Sequence, residues 1–262
     1  MPLSLFGSVY LATFLACAWI TAALHLPLHQ WDALLAVIVA TAVSIAVSER
    51  GRWRLGLAAP PWTAARELLL GIGFAIVLIA SCDLLIIATT DLRHVPGGGF
   101  PWAELLVVYL PAAFHEELLF RGYPYQKVRS VSRPAAIVFT SLVFALLHAG
   151  NAGISPMAII NLVLAGVLLA LAYEVFGRLW LPIGIHAAWN ILSGPILGYN
   201  VSGYVSRTTV METRGHGAEW LTGGHFGIEA SVWMVVVEGM AIAVLNIMAR
   251  RQRYAAGKEL SP

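Results

Sequence analysis

The segment Phe114-His115-Glu116-Glu117-Leu118-Leu119-Phe120-Arg121 sets two adjacent carboxylates and an arginine in an otherwise apolar stretch. A charge at the centre of a bilayer costs at least ~2.5 kcal/mol, so ionisable groups in such stretches are functional candidates. Neighbouring helical side chains point ~100° apart, so Glu116 and Glu117 cannot share one task. Glu117 and Arg121 are spaced i, i+4 with the acid first, the order that favours an ion pair. Glu116 is then aimed elsewhere, free to act as a base. The simpler reading puts both glutamates at a helix end, reaching for water.

Two further pairs have the same spacing. Phe144 and His148 share one helical face, with Asn151 just beyond, and His186 and Asn190 place an imidazole beside a carboxamide on another. Each histidine alone reads as polar glue between helices, worth ~0.6 kcal/mol on average. Taken together, two carboxylates, two imidazoles, a carboxamide and an arginine on three helices of one bundle require a shared polar pocket. Such a pocket has the parts of a hydrolytic site: a carboxylate base, a histidine helping it hold water, and donors for an oxyanion.

The elements that must carry these residues are membrane-spanning helices. Of 262 residues, 59% are hydrophobic and 11% charged, against about 25% charged in a soluble domain. Lipid as solvent accounts for the deficit. Runs of near-spanning length lie at about 4–24, 31–48, 66–89, 101–122, 134–150, 155–176, 180–199 and 228–249. They lack the alternation of barrel strands, so the expected fold is all-α: a polytopic bundle of about eight helices. Pro60-Pro61, Pro96-Gly97-Gly98-Gly99, Ser132-Arg133-Pro134 and Ser155-Pro156 mark helix boundaries. Trp31, Trp53, Trp62, Trp102 and Trp180 sit where runs meet loops, as interfacial anchors do.

Basic residues set an orientation. Arg50, Arg52, Arg54 and Arg66, then Arg121, Lys127, Arg129 and Arg133, then Arg178, then Arg250, Arg251, Arg253 and Lys258 follow alternate runs. The intervening loops hold only Arg93, Arg207 and Arg214. Thirteen of sixteen cations therefore fall on one side, which the positive-inside rule makes cytoplasmic, with both termini there. The chain reads as one transmembrane domain over 1–262, with a catalytic core at about 101–199 and an external loop at about 200–227. The net charge of +2 points to no nucleic-acid partner. Cys17 and Cys82 lie in apolar runs and suggest no disulfide. No Lys or Arg precedes Cys17, so residues 1–24 read as a retained first helix.

The heights of the candidates constrain the bundle. A fifth helix starting at Arg133-Pro134 carries His148 ~20 Å up, and His186 lies ~10–15 Å above Arg178. For Glu116 to meet them, the fourth helix is expected to continue past Arg121 towards Arg129, with a kink at Pro124.

In this order on successive hydrophobic segments, Glu-Glu-x-x-x-Arg, Phe-x-x-x-His and His-x-x-x-Asn resemble the CPBP family, which includes the CAAX prenyl endopeptidases and the bacterial Abi proteins. Phe120-Arg121-Gly122, His148 with Asn151, and Leu181-Pro182-Ile183-Gly184-Ile185-His186 are similar to its bacterial members. The likeness covers about 110–195, and Pro124 departs from the leucine-like residue usual there. The resemblance implies an intramembrane endopeptidase of a bacterial cytoplasmic (inner) membrane, acting on membrane-anchored proteins or peptides. It makes Glu116 the base that activates water, assisted by His148, with His186 and Asn190 binding the oxyanion. Glu117 joins Glu116, His148, His186 and Asn190 in the implied catalytic set and with Arg121 holds the site together, supported by Phe144 and Asn151. A metal-free mechanism is the expectation. A zinc version would use Glu116, His148 and His186 as ligands, although position 119 is leucine, so there is no His-Glu-x-x-His.

Other readings follow from other residues. No Gly-x-Ser-x-Gly supports a serine protease, and Asp83 is the one aspartate deep in a run, which leaves an aspartyl type without its second acid. Asp83, Glu174 and Glu238 are the kind of groups a proton-coupled transporter uses, but no symmetric pair of broken helices accompanies them. A non-catalytic scaffold or chaperone of the same family is the remaining alternative. A bacterial member has no obvious prenylated partner, so prenylated substrates are not implied.

Overall fold

The computed structural model describes residues 2–53 and 55–259. Arg54 lies outside the described residues, as do the side chains of Arg253 and Lys258, all three counted above among the basic positions. The chain forms α1 (Pro2–Ala23), α2 (Gln30–Ser48), α3 (Pro61–Thr89), β1 (Arg93–Pro96), α4 (Trp102–Glu104), a π-helical stretch (Leu105–Tyr109), α5 (Leu110–Phe120), α6 (Tyr123–Arg129) and α7 (Arg133–Leu147). There follow α8 (Pro156–Phe176), α9 (Trp180–Ile191), a second π-helical stretch (Leu192–Ile196), β2 (Met211–Arg214), α10 (Glu219–Thr222) and α11 (Val232–Glu259). The all-α bundle is as expected, and each of the eight apolar runs corresponds to a helical segment. One small antiparallel sheet, β1 with β2, was not legible in the sequence.

Among the described residues five helices are long and apolar enough to cross a membrane: Pro2–Ala23, Gln30–Ser48, Pro61–Thr89, Pro156–Phe176 and Val232–Gln252. The remaining three segments are short or interrupted, and they are the three that carry the candidate residues. Every residue from Leu181 to Asn190 on α9 is buried. By contrast α1 buries only Phe6 and is apolar all round, a helix whose solvent is hydrocarbon.

Local chemistry explains the boundaries. Ser132 and Ser155 cap α7 and α8, accepting from Ala135 N and Ala158 N, with a proline in each first turn. Gly177, at φ 64°, ends α8 in the left-handed conformation glycine adopts freely. The fourth segment departs from expectation. It does not continue past Arg121 with a kink; it stops there, and α6 begins anew with Pro124 in its first turn, where a missing N–H costs nothing.

Packing brings the site helices together through small residues, as helices in lipid require. Gly71 of α3 and Gly184 of α9 meet back to back. A Cβ on Gly71 would lie 2.5 Å from Leu181 O, and one on Gly184 would lie 2.5 Å from Leu68 O.

Polar contacts tie the loops at each end of the bundle. At one end Glu174 accepts from Arg129 and Arg133 at 2.5 and 2.7 Å and from Tyr125 Oη at 2.9 Å. There too Arg178 pairs with Glu67, and Lys127 reaches Glu49 at 2.7 Å. At the other end, Asn151 Nδ2 donates to Ser202 O (2.9 Å), and His94 Nε2 and Tyr199 Oη meet Asp83 Oδ1 at 2.9 and 2.7 Å. Asp83 and Glu174 are thus structural ties for their ends of the bundle.

Candidate active site

Helix α5 aims its two glutamates apart, as the helical angle dictates. Glu117 is fully buried. Its Oε1 accepts from Arg121 Nη1 at 3.0 Å and from His186 Nδ1 at 2.8 Å. Arg121, also fully buried, donates from Nη2 to Gly166 O at 3.0 Å, and its guanidinium lies 5.2 Å from the Phe144 ring centre. Gly166 permits this because α8 runs close against α7 there; a Cβ would meet Ser141 at 2.7 Å. The Glu117–Arg121 pair therefore joins α5, α8 and α9. Glu117 does not line the cavity; it reaches the site through His186.

Glu116 faces a cavity of about 170 Å³ shared with His148, His186 and Asn190. Its Oε2 lies 3.8 Å from His148 Nε2 and 3.7 Å from His186 Nε2, and it has no hydrogen-bond partner among the described residues. These distances are too long for direct hydrogen bonds and are of the kind a water spans.

The protonation pattern of the rings follows from their other nitrogens. His148 is the residue that ends α7, and its Nδ1 lies 2.8 Å from Phe144 O. A carbonyl only accepts, so Nδ1 carries a proton, and Nε2 is the nitrogen that faces Glu116. His186 Nδ1 likewise donates to the Glu117 carboxylate. Phe144 packs between the parts, 4.6 Å from the His148 ring and 6.3 Å from the His186 ring. Asn190 is buried and lines the cavity, with no hydrogen-bond partner for its carboxamide among the described residues. Asn151 also lines it and ties the loop after α7 to Ser202.

Residues 98–192 match the family model of type II CAAX prenyl endopeptidase Rce1-like proteins. This is the family the motifs resemble. The matched segment contains Glu116, Glu117, Arg121, Phe144, His148, Asn151, His186 and Asn190. Neither curated proteins nor solved structures give a match to the chain. The match and the five apolar helices describe an integral membrane protein with a protease-family segment at its centre.

Several cavity residues carried no signal in the sequence. Trp189 lies inside the His-x-x-x-Asn motif, and its Nε1 donates to Glu229 Oε1 at 2.9 Å. Glu229 Oε2 accepts from Ser202 N and Oγ at 2.6 and 2.7 Å. Glu229 stands just before α11, far in sequence from every motif. Tyr10 Oη and His115 Nε2 meet at 3.0 Å and bind α1 to α5 beside the site.

The donor set also invites a test against zinc. With both rings neutral, His148 Nε2, His186 Nε2 and Glu116 Oε2 would present lone pairs, the ligand chemistry zinc takes. Both rings have their Nδ1–H held, as metal-ligating imidazoles do. Yet among the described residues no group of three or more His, Cys, Asp and Glu side chains is disposed to hold a metal ion.

Proposed function

We propose that this protein is an intramembrane endopeptidase that hydrolyses peptide bonds of membrane-anchored proteins or peptides with water activated by Glu116. The observation that carries the reading is the convergence of the unpartnered Glu116 Oε2 with the Nε2 atoms of His148 and His186 in one cavity.

The steps follow from the donors and acceptors. Water in the cavity gives one hydrogen bond to Glu116 Oε2 and the other to the lone pair of His148 Nε2, which turns an oxygen lone pair towards the substrate carbonyl. Glu116 takes the proton as the C–O bond forms. The developing oxyanion is met by Asn190 Nδ2 and by His186 Nε2–H. Donation from His186 Nε2 requires a ring protonated on both nitrogens, and the Glu117 carboxylate on Nδ1 supplies the countercharge for that form. The tetrahedral intermediate then collapses, and Glu116 passes its proton to the departing amine. Glu117 and Arg121 are positioning residues, since they touch the reaction only through His186. In this reading no step passes through a metal.

Purified protein in detergent, incubated with a panel of membrane-anchored peptides in ¹⁸O-labelled water, tests the reaction class. The expected products are two fragments, with one label oxygen in the new C-terminal carboxylate. Binding without any cleavage would instead favour the scaffold reading. Removal of divalent metal separates the two hydrolytic mechanisms. EDTA and phenanthroline leave the rate unchanged if Glu116 is the base. Stoichiometric zinc, with activity lost on chelation and restored on re-addition, would overturn the metal-free mechanism.

A further inference from the structure

The cavity continues beyond the residues that face the scissile bond. On one side it is walled by Leu162, Ala165, Leu168 and Leu169 of α8, and on α11 it reaches Glu238. Glu238 is fully buried, and neither of its carboxylate oxygens has a hydrogen-bond partner. Asn161 Oδ1 is buried and unpartnered as well. Its orientation is fixed, because Nδ2 of the same amide donates to Glu229 O and Ser231 O at 2.7 and 2.9 Å. Glu229, by contrast, is fully occupied by Trp189 and Ser202. Seven residues of mostly helical rise separate Ser231 from Glu238, on the order of 10 Å.

This recess therefore holds three unpartnered oxygens, and no Lys or Arg stands among the described residues that line it. A carboxylate taken out of water without a partner costs several kcal/mol. The mechanism above does not use Glu238. What would complete the recess is a group made of donors, with an apolar stem to lie along the leucines. Long basic side chains have that form: methylenes buried along an apolar wall and a cationic head held by a carboxylate.

We infer that the recess receives a lysine or arginine side chain of the substrate close to the scissile bond, with its cation on Glu238. The inference rests on the endopeptidase reading for the word substrate, and its test is arranged so that the two can fail separately. Peptides that differ only by lysine or norleucine at each position around the cleavage site are bound to full-length Glu116→Ala protein, which cannot cleave them. The lysine peptide is expected to bind at least about tenfold more tightly at one position, the effect of a hydrogen bond to a charged group. The preference should disappear in the Glu116→Ala/Glu238→Gln double variant. Glu238→Leu serves as a second variant, since apolar replacements of buried charges are commonly tolerated. Equal binding of lysine and norleucine peptides at every position would overturn the inference without any variant, and so would a preference that survives loss of the Glu238 carboxylate. A lysine preference in binding, together with no cleavage of any peptide by the wild-type protein, would leave the recess standing and remove the hydrolytic reading. Cleavage without a lysine preference would do the reverse.

Discussion

Glu116 Oε2 makes no hydrogen bond in the folded protein, so truncating it breaks no tie between helices. Glu116→Ala should accordingly leave the melting temperature near wild type. His148→Ala gives up one hydrogen bond to Phe144 O, worth about 1 kcal/mol, and should abolish hydrolysis with only a small fall in stability. Asn190→Ala removes one oxyanion donor and should lower the rate ~10²–10³-fold, leaving measurable activity. Arg121→Ala should behave in the opposite sense. It leaves Glu117 buried without its guanidinium partner, a loss of about 3–5 kcal/mol when a buried pair is broken. A thermal or denaturant melt in detergent checks this, and an Arg121→Ala protein as stable as wild type would remove Arg121 from the frame of the site. The division between Glu116 and Glu117 was legible from their spacing alone, because adjacent helical positions diverge and an i, i+4 arginine claims one of them. Trp189 and Glu229 were not legible, since their contact joins residues 40 apart that no motif relates.

At the scale of helices, the positions that bring the site together are glycines as much as polar residues. Gly71→Val places two methyl groups where Leu181 O already lies within 2.5 Å of a Cβ position. Such overpacking costs about 1–3 kcal/mol and should also displace α9, lowering activity more than stability alone explains. A Gly71→Val protein with normal melting and normal turnover would contradict the close α3–α9 approach. A second tie, outside the spanning segments, depends on pH. Glu49 accepts from Tyr123 at 2.8 Å and from Lys127, and these hydrogen bonds, Lys127 first, hold its carboxyl below the usual carboxylate range. A depressed carboxylate adds stability above its unfolded pKa and loses it as pH falls through the folded value. Glu49→Gln should therefore flatten the acid limb of a stability–pH profile. The helices themselves were legible from hydropathy and proline punctuation. The break at Arg121-Gly122 was not, because a proline at position 124 reads equally as a kink or as the first turn of a new helix. The pairing of β1 with β2 joins residues more than a hundred positions apart, and no local pattern announces it.

For the molecule as a whole, the contacts gather the 49–57, 121–133 and 174–180 segments at one end of the bundle and the 148–155 and 200–231 segments at the other. The basic residues favour the first end. We propose on the positive-inside rule that it faces the cytoplasm, with both chain termini. Reporter fusions at the two termini and in the 123–133 loop should report inside, and one in 200–227 outside; an external C-terminus would refute the arrangement. The candidate residues lie on the three apolar segments too short or too irregular to span alone, packed against some of the five helices among the described residues that can. This arrangement lets water and charge exist within the bundle while lipid meets apolar side chains. The central claim within that frame is that Glu116 activates the water. The most direct measurement is the cleavage rate of one membrane-anchored peptide by wild-type protein and by Glu116→Ala, matched for folded protein by melting temperature. The account predicts turnover by the wild type and none by Glu116→Ala. Equal rates in the two proteins would contradict it.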